Sequence, residues 1–376
     1  MVILIVIISL SILILVHEFG HFLAAKIFGV RVDEFGLGFP PKLFGKKIGE
    51  TIYSVNLLPF GGFVKIYGED GNEADLPAEV SAQAGSQGAS ETLVSETPSF
   101  REARIGSSFI NQPFLKKSVI ILAGVFMNII LGWFVLSIIF MVGAPEHLMI
   151  SAVQGGSPAK IAGLKESDVI LSAKFNEVTL TDPIKSGDFI GLVKSAEGKI
   201  IEIKIKRAEG TLNFSLKGRL NPPPGEGSLG LNLSEIGFQR ESVFKSFGRG
   251  LQTSWLTLKL VAVGFFDFLS KIFVSPKVIQ TITGPVGIFK LAAESGSLGL
   301  IYVFELMAFI SLNLAVLNLF PFPALDGGRF LFLIIEKIKG SPLPKRFQSI
   351  VNAIGFAALI LLMVVVTIQD ISKLLK

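Results

Sequence analysis

Four apolar runs, each long enough to cross a bilayer as a helix of about 20 residues, constrain this chain more than any other feature. They cover residues 1–28, 118–145, 298–325 and 347–369. Hydrocarbon offers no partner to a backbone N–H or C=O, so each run must satisfy its own polar groups as a helix. The first is interrupted only by His17-Glu18-Phe19-Gly20-His21 and Lys26; the second and fourth carry no charge; the third carries Glu305 early and is then uncharged until Asp326. Half of the 376 residues are hydrophobic, which fits an α-helical polytopic membrane protein with four transmembrane helices.

The N-terminal run has no basic region before it and no small-residue cleavage site, so it reads as a retained span, not a signal peptide. Arg31, Lys42, Arg101, Arg104, Lys116 and Lys117 flank the first two spans on the side that also receives Arg329, Lys337, Lys339, Lys345 and Arg346. The positive-inside rule places residues 29–117 and 326–346 in the cytoplasm, and both termini with residues 146–297 outside.

Between the spans the composition changes. Residues 52–66 are β-prone around Pro59 and the Gly61-Gly62 pair, as in a cytoplasmic β-hairpin region lying against the membrane. Residues 69–98 hold acidic and small residues without a single Lys or Arg, the composition of a disordered loop. Residues 146–236 alternate strand-like runs with Gly, Pro and Asn turns and form one inserted, extracytoplasmic β-rich domain. Residues 237–297 include an aromatic, amphipathic stretch expected to lie in the membrane interface. The net charge of +5 is spread beside apolar runs, so nucleic acid is not an expected partner and the lipid bilayer is.

His17-Glu18-Phe19-Gly20-His21 is an HExxH pattern. Two histidines four apart share a helix face and can bind one Zn²⁺, while Glu18 beside the first can take a proton from water. The alternative, two helix-interior histidines sharing hydrogen bonds with a glutamate, buries ionisable groups in a bilayer without a use for them, at a cost. With no cysteine in the chain, a third ligand must be His, Asp or Glu. His147 follows the second span, so carboxylates remain. Asp326 ends an apolar span after Pro321 and Pro323 and before two glycines; broken backbone at that depth is tolerated where it lines a site. A solvated helix terminus is the competing account of the same residues.

HExxH in the first span and Asn318-Leu-Phe-Pro321-Phe-Pro323-Ala-Leu-Asp326-Gly-Gly in the third resemble the site-2 protease family of intramembrane metalloproteases, in its RseP-type branch. Leu58 to Lys65 looks like that branch's membrane-associated β-loop, Ala123-Gly124 with Asn128 like its second-span signature, and Thr283-Gly-Pro285 like its element before the third span. The resemblance implies one Zn²⁺ per chain held by His17, His21 and Asp326, Glu18 as general acid/base, and Asn318, Pro321, Pro323, Gly61 and Gly62 around the substrate. Gly155 to Ile170 resembles the start of a PDZ domain, whose role as peptide dock or steric cap stays open. This chain departs from the pattern with Val125 where the family has proline, with Gly38-Phe-Pro40 or Gly36-Leu-Gly38 for its Gly-x-Gly, and with room for a single PDZ-like domain.

The implied function is cleavage of single-span membrane proteins within the bilayer, after an upstream site-1 protease has trimmed them, or of remnant signal peptides. The implied location is a bacterial inner membrane, with the site towards the cytoplasm. A metal or proton transporter would use the same intramembrane residue types but would often show repeated hydropathy halves, which are absent from the sequence. A catalytically inactive scaffold acting through its PDZ-like domain would not need Glu18.

Overall fold

The computed structural model describes residues 2–69, 106–196, 198–207, 210–272, 274 and 282–374. The expected disordered loop at 69–98 lies outside the described residues apart from Glu69. Among the described residues five helices are long and apolar enough to cross a membrane, where the sequence suggested four. They are α1 (Val2–Ile27), α2 (Phe114–Val142), α5 (Val243–Ile272), α7 (Leu300–Leu319) and α9 (Lys345–Leu374). The additional one, α5, is the stretch read as interfacial: it carries basic and polar residues along one side, yet its length and mean hydropathy meet those of a span.

The chain divides into two compact units. The first comprises residues 1–133, 254–288 and 307–376. Here α1 runs into an antiparallel pair, β1 (Val32–Ile48) and β2 (Thr51–Ile66), reversed at Gly49-Glu50, where Gly49 has φ 63°. A hairpin confined to 52–66 is therefore corrected. Residues 34–37 pair on one side with 52–55 and on the other with 62–65, while 42–48 close on 51–56. The two long strands bend into four short ones, because Pro59 cannot donate to a ladder and Gly61 has φ 91°. Thr51 Oγ1 donates to Val32 O at 2.8 Å and Asn56 Nδ2 to Gly38 O at 3.0 Å, pinning the bends. Phe22 of α1 packs against Phe35 and Tyr53, with ring centroids 5.1 and 6.0 Å apart. Ala24, Ala25, Val30, Val32, Ile66 and Ile120 make a small dry core beneath.

After α7 the chain turns through Pro321 and Pro323 into α8 (Asp326–Lys339), a helix where the sequence suggested only a connecting segment. Its first turn lies against the end of α7: a Cβ on Gly327 would overlap the Leu319 and Phe320 carbonyls, and one on Gly328 the Phe322 carbonyl. Ala324 reaches φ 73°, and its N–H donates to Asn352 Oδ1 at 3.2 Å. The Thr283-Gly-Pro285 element opens α6 (Pro285–Leu298), whose Gly287 N–H donates to buried Asp370 at 2.8 Å. That carboxylate faces the positive end of the helix.

The second unit comprises residues 134–253 and 289–306. It contains a sheet ordered β7 (Gly210–Lys217), β6 (Ile200–Arg207), β4 (Val169–Phe175), β3 (Ala144–Val153), β8 (Leu231–Phe238), with β5 (Val178–Thr181) paired to β4. All pairs are antiparallel. Helices α3 (Pro158–Ala162) and α4 (Ser186–Ser195) complete a core that includes Leu148, Ile170, Ile201, Ile203, Ile205 and Phe189. Strict alternation in β6 buries Ile201, Ile203 and Ile205 and exposes Glu202 and Lys204. Asp168, fully buried, is held by Arg207 and the Lys165 N–H.

Candidate metal centre

One turn of α1 separates His17 from His21, which puts both imidazoles on the face that meets α2. The helices approach closely there because Gly20 lies on the Ala123 carbonyl and Gly124 lies under the two imidazoles. A methyl group at either position would overlap its neighbour. Asp326, the first residue of α8, completes the group from the other end of the sequence. His17 Nε2 to Asp326 Oδ2 is 3.1 Å, His21 Nε2 to Asp326 Oδ2 is 3.4 Å, and the two Nε2 atoms are 3.3 Å apart. Donors on one tetrahedral ion at zinc distances stand about 3.3–3.5 Å from one another. Among the described residues this is the one group of three His, Asp or Glu side chains close enough to share a metal.

The hydrogen-bond partners support the same fit. The Ile120 carbonyl lies 2.8 Å from His21 Nδ1, so that nitrogen carries a hydrogen and Nε2 is the ring atom turned towards Asp326. Asp326 Oδ2 is buried and faces the two Nε2 atoms. Two imidazole nitrogens and a carboxylate oxygen converging at 3.1–3.4 Å form a donor set that suits zinc.

Asn128, fully buried on α2, places its amide 3.3 Å from His17 Nδ1 and leaves Oδ1 without a partner. If His17 binds metal through Nε2, its Nδ1 carries a proton, so the amide oxygen is the end that suits the contact. The Asn128 carbonyl accepts from buried Ser311 at 2.8 Å, which ties this part of α2 to α7. The sequence marked Asn128 only as part of a signature. A lone amide in an uncharged span was the available signal for its position beside a ligand.

A cavity of about 390 Å³ opens over the three donors. Glu18 and Asn318 line it with His17, His21, Asp326 and Arg329. Of the other residues expected around a substrate, Gly62 is not in this lining but sits beside Glu18, whose Cγ would lie 3.7 Å from a Cβ built there. Gly61, Pro321 and Pro323 are also outside the lining; Pro323 packs against Gly355 of α9 and shapes the turn. The β2 segment Phe63 to Ile66 forms one wall through Phe63, Val64 and Ile66. Its pairing with 34–37 leaves it at an edge of the sheet.

The sequence profile of peptidase family M50 matches residues 5–362. A Clostridium perfringens protein named as a zinc metalloprotease is 32% identical to this chain, across 99% of this chain and 98% of its own length. The regulator of sigma-W protease RasP of Bacillus subtilis is 30% identical across 96% of both chains. The zinc metalloprotease RasP of Shouchella clausii is 32% identical across 97% of both.

Proposed function

This chain belongs to peptidase family M50, and we infer that it is a zinc-dependent endopeptidase that cuts transmembrane segments within the bilayer. The observation that carries the reading is the convergence of His17, His21 and Asp326 donors within 3.1–3.4 Å, with Glu18 in the same cavity. Zinc, when bound, supplies a lowered water pKa and polarisation of the scissile carbonyl.

The chain's own residues do the rest. Glu18 accepts the proton of the attacking water and returns it to the departing amine, which keeps the exchange neutral in a poorly solvated cavity. His21 is oriented by the Ile120 carbonyl and His17 by Asn128, so neither ring has to be ordered during turnover. A substrate helix hides its peptide groups in its own hydrogen bonds and must unwind before attack. The edge at residues 62–66 can pair with the unwound strand, and Asn318 can hold a backbone amide beside the metal.

The finer reading places the site towards the cytoplasmic face of a bacterial inner membrane, with both termini and the β-rich domain outside. The substrates are single-span proteins, such as anti-sigma factors already cut by a site-1 protease, or remnant signal peptides. The Bacillus subtilis relative's name, a regulator of sigma-W, supports that class. The β-rich domain is PDZ-like and filters substrates by the bulk of their external part. Removing 146–236 behind a flexible linker then admits a substrate with a folded outer domain and leaves a short-tailed one unaffected; loss of the short-tailed substrate would make the domain a recruiting site.

The deciding experiment incubates the purified chain with a single-span peptide, with and without chelator, and counts bound zinc. Cleavage within the apolar segment that stops on zinc removal and returns on zinc addition is expected. Cleavage indifferent to chelation, or zinc uptake into vesicles without cleavage, would sink the proposal.

A further inference from the structure

Beside the metal cavity, and sharing Glu69, Phe109, Ile121 and Arg329 with it, lies a second groove of about 1250 Å³ that the hydrolytic reading does not use. Its wall carries five cations, Lys117, Arg329, Lys337, Lys345 and Arg346, against two carboxylates. Both carboxylates are engaged within the wall. Glu69 pairs with Arg329, and Glu336 accepts from the Leu343 N–H at 2.9 Å and from Gln348 at 3.0 Å. Lys337 stands 4.0 Å above the Phe114 ring, so its ammonium is anchored on an aromatic face.

The groove's place in the fold selects an occupant. Two membrane-length helices begin in its wall, α2 at Phe114 and α9 at Lys345, so it lies where spans leave the hydrocarbon. Phe347, Ile350 and Ile354 recur at helical spacing on α9 and are at least half exposed, and Ile350 lines the groove itself, so an apolar track runs on from the cations. A basic rim with an apolar track at that depth fits a phosphodiester headgroup and its acyl chains. A substrate's flank fits less well: on the proposed cytoplasmic side such flanks carry Lys and Arg, which the wall repels. We propose that this groove holds an anionic phospholipid next to the metal centre. The side of the membrane rests on the functional reading above; the charge argument for the lipid does not.

The test is native mass spectrometry of the full chain released from bilayers of phosphatidylglycerol or of phosphatidylcholine, with zinc content measured in parallel. One phosphatidylglycerol retained per chain is expected, with retention about 30-fold weaker in Lys337→Ala/Arg346→Ala and restored in Lys337→Arg/Arg346→Lys. Zinc should stay constant throughout, which separates lost lipid from lost fold, and no proteolysis is read, so a failed protease assignment leaves this result standing. Equal retention of phosphatidylcholine, or of phosphatidylglycerol by the double alanine variant, would overturn the proposal. Displacement by inorganic phosphate at millimolar concentration would reassign the groove to free anions. If lipid bound only after removal of the acidic residues 70–98, the chain's own segment would be the occupant and the proposal would fail.

Discussion

The two β-sheets among the described residues solve opposite problems. In the β3–β8 sheet, inward and outward positions alternate, Ile201, Ile203 and Ile205 are sealed in a core, and charged residues face out. In the β1–β2 sheet the register shifts repeatedly, and Leu43, Phe44, Ile48, Leu57 and Leu58 remain exposed. It leans on Phe22 and the small core shared with α1 and α2. A sheet with its own core can hold its shape unaided; one that borrows its support has its shape set by the helix bearing the histidines, which is where an edge strand beside Glu18 is useful.

Chemistry should fail on one side of that contrast and folding on the other. The largest effect is expected at Glu18, which borders Gly62 of the irregular sheet. Glu18→Gln should lower the cleavage rate by about 10³-fold while bound zinc stays at one per chain, since the proton acceptor goes and the proposed ligands stay. Zinc loss in that variant would make Glu18 a ligand and erase the division of roles. Next comes Ile203→Ala, expected to cost the regular sheet about 2–5 kcal/mol through lost burial and a residual cavity. Hydrogen exchange should rise across β4, β6 and β7 with zinc content unchanged; protection retained there would mean that this sheet too depends on outside support.

Asn128→Leu tests the orientation of His17 without touching a proposed ligand. Zinc affinity, read against a series of chelators, should fall about 10–100-fold, and Asn128→Asp, which keeps an acceptor, should fall less. Equal losses in both would mean that the site needs the amide's shape and not its oxygen. The smallest effect is expected from Lys26→Ala. Its pair with Glu50 is 2.7 Å long but solvent-exposed, and such pairs contribute about 0–1 kcal/mol. Exchange at the Gly49-Glu50 turn should quicken slightly with the cleavage rate unchanged; a large loss of rate would show that the turn's position controls the edge strand.

The helical half of the candidate site is legible in the sequence because its information is local. His17, Glu18 and His21 need only the period of one helix, and Asp326 was marked by the prolines and glycines around it. Other parts carry no local period. Residues 32–48 contain Gly-Phe-Pro-Pro, and they are strands because 34–37 lie between 52–55 and 62–65 while 42–48 close on 51–56. Helix α8 opens with two glycines, poor helix formers, so its start reads as a loop until the carbonyls that exclude a Cβ are seen. Helix α5 combines the length of a span with a polar side, so its composition fits a span and an interfacial helix alike. Gly124 and Asn128 were visible only as letters of a signature; their use depends on α1 lying against them.

The glycine pair at the start of α8 also has a mechanical consequence. With Asp326 at the near end and Gly327 and Gly328 seated on carbonyls, the helix has its fulcrum at the proposed ligand. Fourteen residues make a rod of about 21 Å, so a tilt of about 5° moves the Lys339 end by about 2 Å and the Asp326 end by very little. A small displacement at the far end therefore leaves the carboxylate's distance from the two imidazoles nearly unchanged.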